Sequence, residues 1–265
     1  MTVDQLIAAR KFAERLVMRS GERIRASHNS AKVTRIGPGC DVTTELDIED
    51  EKEMIREIRE TYPDHAVFGE ESGGTISDRP TWILDALDGT KYYVRNVPLY
   101  FSAAVLQVGT ETVVGAVYNS RTDELFSAAQ GCGATLNGTA LHVPDRPDLS
   151  QAMVTVTNPT METMKSNPDQ FKQFERLARA VYRVRDFGHQ NYSICLVGSG
   201  GLDAHVNIHG LKKGWWDAAA GICIATEAGA QALTFKGKPM TIAHATEPFV
   251  VAGPKLAGRI VELFR

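Results

Sequence analysis

The sequence predicts a layered α/β protein in which two β-sheets alternate with helices. Apolar runs of strand length, separated by short polar turns, cluster between residues 66 and 141. From residue 152 onward, strand-like and helix-like segments alternate along the chain. Helix-like segments also precede the first cluster of strands. We therefore expect one antiparallel sheet, one mixed sheet and helices packed against both.

Helical spacing of apolar residues predicts the first elements. Apolar residues recur at helical intervals from Asp4 to about Ser27 and again from Ile48 to Glu60. The run of charges at 49–53 in the second segment is interpreted as a solvated helix face. Between the two helices, the segment from Arg35 to Gly39 contains two glycines and a proline, which indicate a loop.

The remaining elements are predicted from apolar runs of strand length and from apolar residues at helical spacing. Strands are predicted at 66–68, 81–84, 100–108, 112–119, 124–129, 152–157, 202–208 and 249–252, and the segment 134–138 is predicted to be a strand that runs into a turn. Helices are predicted at 169–181, around 194–197, at 218–228 and at the C-terminus. Because the Pro-containing segment at 144–147 separates the two patterns, we expect two tightly packed halves, 1–145 and 146–265.

Composition excludes several classes of protein. The chain has 265 residues, 43% of them hydrophobic and 23% charged, as in ordinary globular enzymes. A formal net charge of −3 argues against a nucleic-acid-binding protein, which would carry a basic face. No apolar run approaches the ~18 residues that a membrane span needs, and the N-terminus lacks a signal-peptide pattern. The four cysteines show no C-x-x-C pairing, so we expect reduced thiols and a cytoplasmic location.

The segment Asp85-Ala86-Leu87-Asp88-Gly89-Thr90 carries the strongest chemical signal. It follows an apolar strand and brings two carboxylates, a carbonyl and backbone N–H groups to one point. Hard divalent cations such as Mg²⁺ take oxygen ligands, and amides at a helix start bind anions. These are the parts of a metal-dependent phosphatase. The alternative is that Asp85 and Asp88 only cap a helix that follows the strand.

Three further acidic segments extend this pattern. They are Asp41-Val42-Thr43-Thr44-Glu45-Leu46-Asp47, Gly69-Glu70-Glu71-Ser72-Gly73 and Trp216-Asp217-Ala218-Ala219-Ala220-Gly221. In this order, the four segments resemble the inositol monophosphatase family of lithium-sensitive, Mg²⁺-dependent sugar and polyol phosphatases. The resemblance runs from about residue 41 to the C-terminus. It implies an alternating α-β-α-β-α sandwich of the type shared with fructose-1,6-bisphosphatase.

The resemblance also implies roles for individual residues, most of them in the N-terminal half. Two to three Mg²⁺ ions would be held by Glu70, Asp85, the carbonyl of Leu87, Asp88 and Asp217. Asp47, Thr90 and the metal-bound Glu70 would hold and activate the attacking water, while the amides of Gly89 and Thr90 would bind phosphate. Asp47 and Asp217 could also cap their helices, and Glu71 is expected outside the ligand set.

Substrate choice depends on less specific positions. Family members that act on inositol phosphate tend to carry an acid seven residues before the Asp of the W-D motif, where this chain has Gly210. Lys212 and Lys213 are candidates for contacting a second phosphate, or they are an ordinary surface pair. His189 and Gln190 are candidates for contacting substrate hydroxyls, although His189 is equally well explained as a structural histidine.

The predicted function is therefore Mg²⁺-dependent hydrolysis of a sugar or polyol phosphate, inositol 1-phosphate first. The alternatives are fructose-1,6-bisphosphatase, 3′-phosphoadenosine 5′-phosphate phosphatase, histidinol-phosphate phosphatase and a non-catalytic regulator that keeps the fold. The resemblance further implies inhibition by lithium and a homodimer. We expect no nucleic-acid or membrane partner.

Overall fold

A computed structural model describes residues 1–27, 32–36, 42–211 and 214–265. The first layer consists of two helices, α1 (Val3–Ala26) and α2 (Glu45–Thr61). Between them in the chain lie two antiparallel strands, β1 (Val33–Ile36) and β2 (Val42–Thr44). Thr2 begins α1 with a capping box, in which its side chain accepts from the Gln5 amide.

An eight-stranded sheet forms the second layer. Its strands are β3 (Ala66–Gly69), β4 (Gly73–Gly74), β5 (Thr81–Asp88), β6 (Phe101–Val108), β7 (Glu111–Asn119), β8 (Glu124–Ala129), β9 (Ala134–Leu136) and β10 (Thr139–Ala140). Their order is β10-β9-β8-β7-β6-β5-β3-β4, and a one-turn helix, α3 (Thr90–Tyr93), follows β5. All neighbours are antiparallel except β3 and β5, so the prediction of an antiparallel sheet is wrong for that pair.

A five-stranded sheet forms the fourth layer. Its strands are β11 (Met153–Thr157), β12 (Arg183–Arg185), β13 (Ala204–Asn207), β14 (Gln231–Thr234) and β15 (Phe249–Ala252). The order is β12-β11-β13-β15-β14, with parallel pairing on both sides of β11 and antiparallel pairing on both sides of β15. The predicted mixed sheet is confirmed.

Helices fill the layers between and outside the sheets. They are α4 (Met161–Ser166), α5 (Gln170–Ala180), α6 (Gln190–Gly198), α7 (Trp216–Glu227) and α8 (Pro254–Phe264). The third layer is the α6–α7 pair, which packs between the two sheets, while α5 and α8 cover the outer face of the second sheet. Gly115 of β7 lets α7 approach closely, since a Cβ at that position would overlap the Ala220 backbone. The predicted α-β-α-β-α sandwich is confirmed.

Several local predictions need correction. Arg35 and Ile36 belong to β1 rather than to a loop, because they pair with β2. The charges of α2 are not all solvated, since Asp50 and Glu51 are buried. Several short elements are absent from the sequence prediction, because their segments are short and lack a clear apolar period. They are β2, β4, β10, β12, β14, α3 and α4.

Other sequence expectations can be compared with the described residues. In this part of the chain, no helix is long and apolar enough to cross a membrane. Cys132, Cys195 and Cys223 are free thiols, in agreement with the prediction of reduced cysteines, while Cys40 lies outside the described residues. The eight-stranded sheet uses residues before 145 and the five-stranded sheet uses residues after it, but α7 packs against both.

Candidate active site

A cavity of about 450 Å³ opens where β5 ends and α7 begins. Nearly all of the described candidate residues line it. They are Glu70, Asp85, Leu87, Asp88, Gly89, Thr90, His189, Gln190 and Asp217. Asp47 is joined to this set through a hydrogen bond to Thr90. Lys212, Lys213 and Asp41 lie outside the described residues.

The parallel pairing of β3 with β5 explains why acids far apart in sequence meet. Gly69 is paired with Leu84, and the Glu70 amide donates to the Leu84 carbonyl at 3.2 Å. Glu70, the residue after the end of β3, therefore lies beside Asp85 in the second half of the adjacent strand β5. Asp85 follows Ile83 on the face of β5 that is turned towards α7, where Asp217 lies in the first turn of the helix.

Burial and mutual repulsion dominate the electrostatics of this cluster. Burial, with the nearby Asp217, Asp88 and Glu71 carboxylates, raises the pKa of Glu70 to about 8. Burial and the Glu70 carboxylate likewise raise the pKa of Asp85 well above its usual value. A hydrogen bond between the two side chains opposes the rise at Glu70 but does not cancel it. The cluster therefore holds negative charge poorly unless a cation is present.

The oxygen ligands available in the cavity fit a hard cation, although the described side chains are not close enough together to form a complete coordination site. Among the described residues, no three His, Cys, Asp or Glu side chains already form a metal-binding group. In the same part of the chain, however, Asp88 Oδ2 is a buried oxygen with no hydrogen-bond partner. Carboxylate and carbonyl oxygens are the ligands that Mg²⁺ takes, so Asp88 offers a ligand atom that nothing else uses.

The structure brings Asp47 and Thr90 together. The Thr90 hydroxyl lies 2.6 Å from Asp47 Oδ1 and 3.1 Å from the Leu87 carbonyl, and the shorter contact makes Asp47 its main acceptor. Asp47 Oδ2 accepts from the Thr44 amide and hydroxyl at 2.8 and 2.5 Å. Burial raises the pKa of Asp47, and these hydrogen bonds oppose the rise.

None of the candidate site acids that could have capped a helix occupies the N-cap position itself. Thr44 is the N-cap of α2, and Asp47 is the third residue of its capping box. Gly89, at a φ of +102°, is the N-cap of α3, so neither Asp85 nor Asp88 has that position. Trp215 precedes α7, which leaves Asp217 inside the first turn. The Gly89 and Thr90 amides lie at the start of α3, where N–H groups have no acceptor within the helix.

Glu51 is a functional candidate that the sequence interpretation missed. Its side chain is buried under the loop after β3 and accepts from the Glu71 amide at 3.0 Å and the Ser72 amide at 2.8 Å. A Cβ on Gly69 would overlap the Glu51 carboxyl group, so the glycine is required for this packing. The sequence did indicate that Glu51 lies on the buried face of α2, because it precedes the buried Met54 and Ile58 at helical spacing.

The substrate candidates have unequal surroundings. His189 donates from Nδ1 to Asp88 Oδ1 at 2.8 Å, and its side chain is only 4% exposed. Gln190 Oε1 accepts from Asn207 at 2.6 Å, which leaves the NH₂ end of Gln190 as the group it can offer a hydroxyl. Gly210 has a φ of +76°, and a Cβ there would overlap the Thr246 carbonyl. No side chain fits at that position without moving the backbone.

Comparison with known proteins identifies the family. The model of the inositol monophosphatase family matches residues 6–265. The chain belongs to the inositol monophosphatase family. It is 34% identical over 226 residues to Nus factor SuhB of Pasteurella multocida, covering 83% of this chain and 81% of that protein. It is 30% identical over 240 residues to human inositol monophosphatase 1, covering 87% and 85% of the two chains.

Solved structures of the family share the fold. The inositol-monophosphate-bound structure of the staphylococcal enzyme SaIMPase-II aligns with a TM-score of 0.81 at 26% identity, covering 96% of this chain and 92% of that one. Inositol monophosphatase family members are metal-dependent phosphatases, and this chain is therefore a metal-dependent phosphoric monoester hydrolase. The acidic cavity is the part of the described structure suited to that chemistry.

Proposed function

We propose that the protein is a Mg²⁺-dependent phosphomonoesterase for a sugar or polyol phosphate, with inositol 1-phosphate as the first substrate to test. One observation carries the proposal: Glu70, Asp85, Asp88 and Asp217 line one cavity together with the amide-bearing start of α3. Bound Mg²⁺ would neutralise phosphate charge, lower the pKa of a bound water and stabilise the leaving alkoxide. The structural neighbour with bound inositol monophosphate supports this substrate class.

The chain's own groups divide the remaining work. Glu70, Asp85, Asp88, Asp217 and the Leu87 carbonyl would hold the ions. Thr90, bonded to Asp47, would orient the attacking water and pass its proton towards the Asp47 carboxylate. The Gly89 and Thr90 amides would hold phosphate oxygens, so positioning and electrostatics would supply most of the acceleration.

The identity of the alcohol is the finer part of the proposal. Gly210 offers no acid to a substrate hydroxyl, so recognition would depend on groups such as the Gln190 amide. The Pasteurella relative is named a Nus factor, and family membership alone therefore does not select one substrate. Inhibition by millimolar lithium, a homodimer and a cytoplasmic location remain predictions from the resemblance and the composition.

Phosphate release from a panel of phosphomonoesters, with and without Mg²⁺, tests the proposal. The panel contains inositol 1-phosphate, fructose 1,6-bisphosphate, 3′-phosphoadenosine 5′-phosphate and histidinol phosphate. We expect Mg²⁺-dependent turnover that is highest for inositol 1-phosphate. No release from any of them at saturating Mg²⁺ would contradict the proposed function, and a different preferred ester would contradict only the substrate.

Substitution of Asp88 tests the site itself. Asp88→Asn keeps the shape of the side chain but removes the charge that attracts the cation, so activity should fall by roughly 100-fold or more. Asp78→Asn is the matched control, because Asp78 is exposed and lies outside the cavity. Wild-type turnover by a folded Asp88→Asn protein would remove Asp88 from the site.

A further inference from the structure

His189 and Asp88 form a buried pair that joins the two halves of the chain. Their side chains are 4% and 12% exposed, and Nδ1 lies 2.8 Å from Oδ1. A carboxylate oxygen can only accept, so Nδ1 carries the proton and donates it. Asp88 thus has one oxygen fixed by the histidine and a second, Oδ2, that is buried and unpartnered among the described residues.

The surroundings of the ring fix its orientation. The ring lies 4.9 Å from the Tyr92 ring and 5.2 Å from the Phe101 ring, measured between centroids. A Cβ on Gly89 would approach His189 Cε1 to 2.6 Å, so the glycine next to Asp88 leaves room for the imidazole. Packing on several sides therefore holds Nδ1 in place against Oδ1.

The ring is poorly placed to bind a substrate hydroxyl. Nδ1 is occupied by Asp88, and Nε2 is a buried atom that offers the cavity no exposed surface. We propose that His189 is a positioning residue, which orients the Asp88 carboxylate through the Nδ1 hydrogen bond and leaves Oδ2 as the cation-binding atom. This inference rests on the proposed function, since it takes Mg²⁺ as the ion at Asp88. Partners that orient a ligating carboxylate typically change metal affinity about 10–100-fold when they are lost.

Two amide side chains can separate the hydrogen bond from the rest of the ring. In Asn, the amide nitrogen is as many bonds from Cα as Nδ1 is, whereas in Gln it corresponds to Nε2. His189→Asn should therefore keep the bond to Asp88, while His189→Gln and His189→Phe should lose it. Tyr192→Phe is the matched control, because it removes a hydrogen bond to Glu124 from the same helix without touching Asp88.

Calorimetric titration of each folded protein with Mg²⁺ alone, in the absence of substrate, gives the decisive measurement. We expect the Gln and Phe variants to bind Mg²⁺ about tenfold or more weakly, with the Asn variant and Tyr192→Phe close to wild type. At saturating Mg²⁺, the KM for the phosphate ester should stay close to that of the wild type in every variant.

Three results would overturn the inference while leaving the proposed function intact. One is wild-type Mg²⁺ affinity in His189→Phe. Another is equal affinity in the Asn and Gln variants, a comparison that still decides if the Phe variant does not fold. The third is a raised KM for the ester with unchanged Mg²⁺ binding, which would make His189 a substrate contact. Absence of Mg²⁺ binding in the wild type would instead refute the proposed function itself.

Discussion

Replacement of Glu51 by Gln should weaken both the fold and the proposed metal site. The two Glu51 oxygens each accept a backbone N–H, from Glu71 and Ser72, in a side chain that is 2% exposed. Gln keeps one acceptor and turns an NH₂ group towards the other N–H donor. One charge-assisted hydrogen bond, worth about 1.5–3 kcal/mol, is lost, and one partly buried N–H is left facing the new NH₂ group.

The removal of a buried charge offsets part of that loss, since a neutral amide costs less to bury than a carboxylate. We therefore expect a net destabilisation of about 2–3 kcal/mol in Glu51→Gln. The loop that would shift begins with Glu70, so the Mg²⁺ concentration for half-maximal activity should also rise, by about tenfold. Urea unfolding followed by circular dichroism measures the first effect, and a Mg²⁺ titration of phosphate release measures the second.

The same helix supplies a matched control. Glu53 undergoes the same chemical change in Glu53→Gln, but its side chain is 49% exposed and, within the described part of the chain, forms a surface ion pair with Arg56 alone. Exposed pairs contribute about 0–1 kcal/mol, so this variant should differ little from wild type in both assays. If Glu51→Gln were as stable and as active at low Mg²⁺ as Glu53→Gln, the inferred support of the loop by Glu51 would be refuted.

Two further predictions concern residues outside the cluster of acids. Burial lowers the pKa of His205 from 6.5 to about 3, so between these two pH values the unfolded chain binds a proton that the folded chain does not. The free energy of unfolding should therefore fall as the pH drops below 6.5, by up to about 1.4 kcal/mol per pH unit. His205→Asn should reduce this dependence on pH, measured by urea unfolding from about pH 7 to 4. Equal pH dependence in the variant and the wild type would contradict the prediction. Gly210→Ala places a Cβ against the Thr246 carbonyl at a φ of +76° and should cost about 2 kcal/mol or more. Gly109→Ala, at a φ of +58° with open space around it, should cost only about 1 kcal/mol, so equal urea midpoints for the two variants would argue against a clash.

Much of the fold could be predicted because most of its elements have a clear apolar period. The predicted strand at 124–129 has the bounds of β8, and the predicted helix at 169–181 differs from α5 by one residue at each end. Edge strands such as β12 could not be found, since three residues with an exposed, basic pattern give no period to detect. The parallel pairing of β3 and β5 also has no local signal, because it depends on where the intervening segment carries the chain.

The acids of the candidate site could be named from sequence, but their partners could not. Asp88 and His189 are 101 positions apart, and no periodicity connects them. The solvated-face interpretation of α2 failed for a different reason. Charge patterning places charged residues on the outside of a helix, yet 47, 50, 51, 54 and 58 form one buried stripe at helical spacing. The spacing was a better guide to burial here than the polarity of the residues.

Three acids of that buried stripe, Asp47, Asp50 and Glu51, make α2 a common support for separate segments of the candidate site. Asp47 bonds to Thr90 at the start of α3, and Glu51 bonds to the amides after Glu70. Asp50 accepts from the buried Ser20 at 2.6 Å, and Ser20 also lies 3.2 Å from the Ala86 carbonyl within the D-x-x-D segment.

Asp47 and Glu51 join two stretches of the site directly to α2, whereas Ala86 is linked to Asp50 through Ser20 of α1. A helix fixes its side chains relative to one another more accurately than loops can fix themselves. The Ser20–Asp50 contact behind Ala86 restrains this part of β5 from α1 and α2. Burying three acids on α2 costs stability, but it holds the segments that carry the proposed metal ligands at fixed distances from one another.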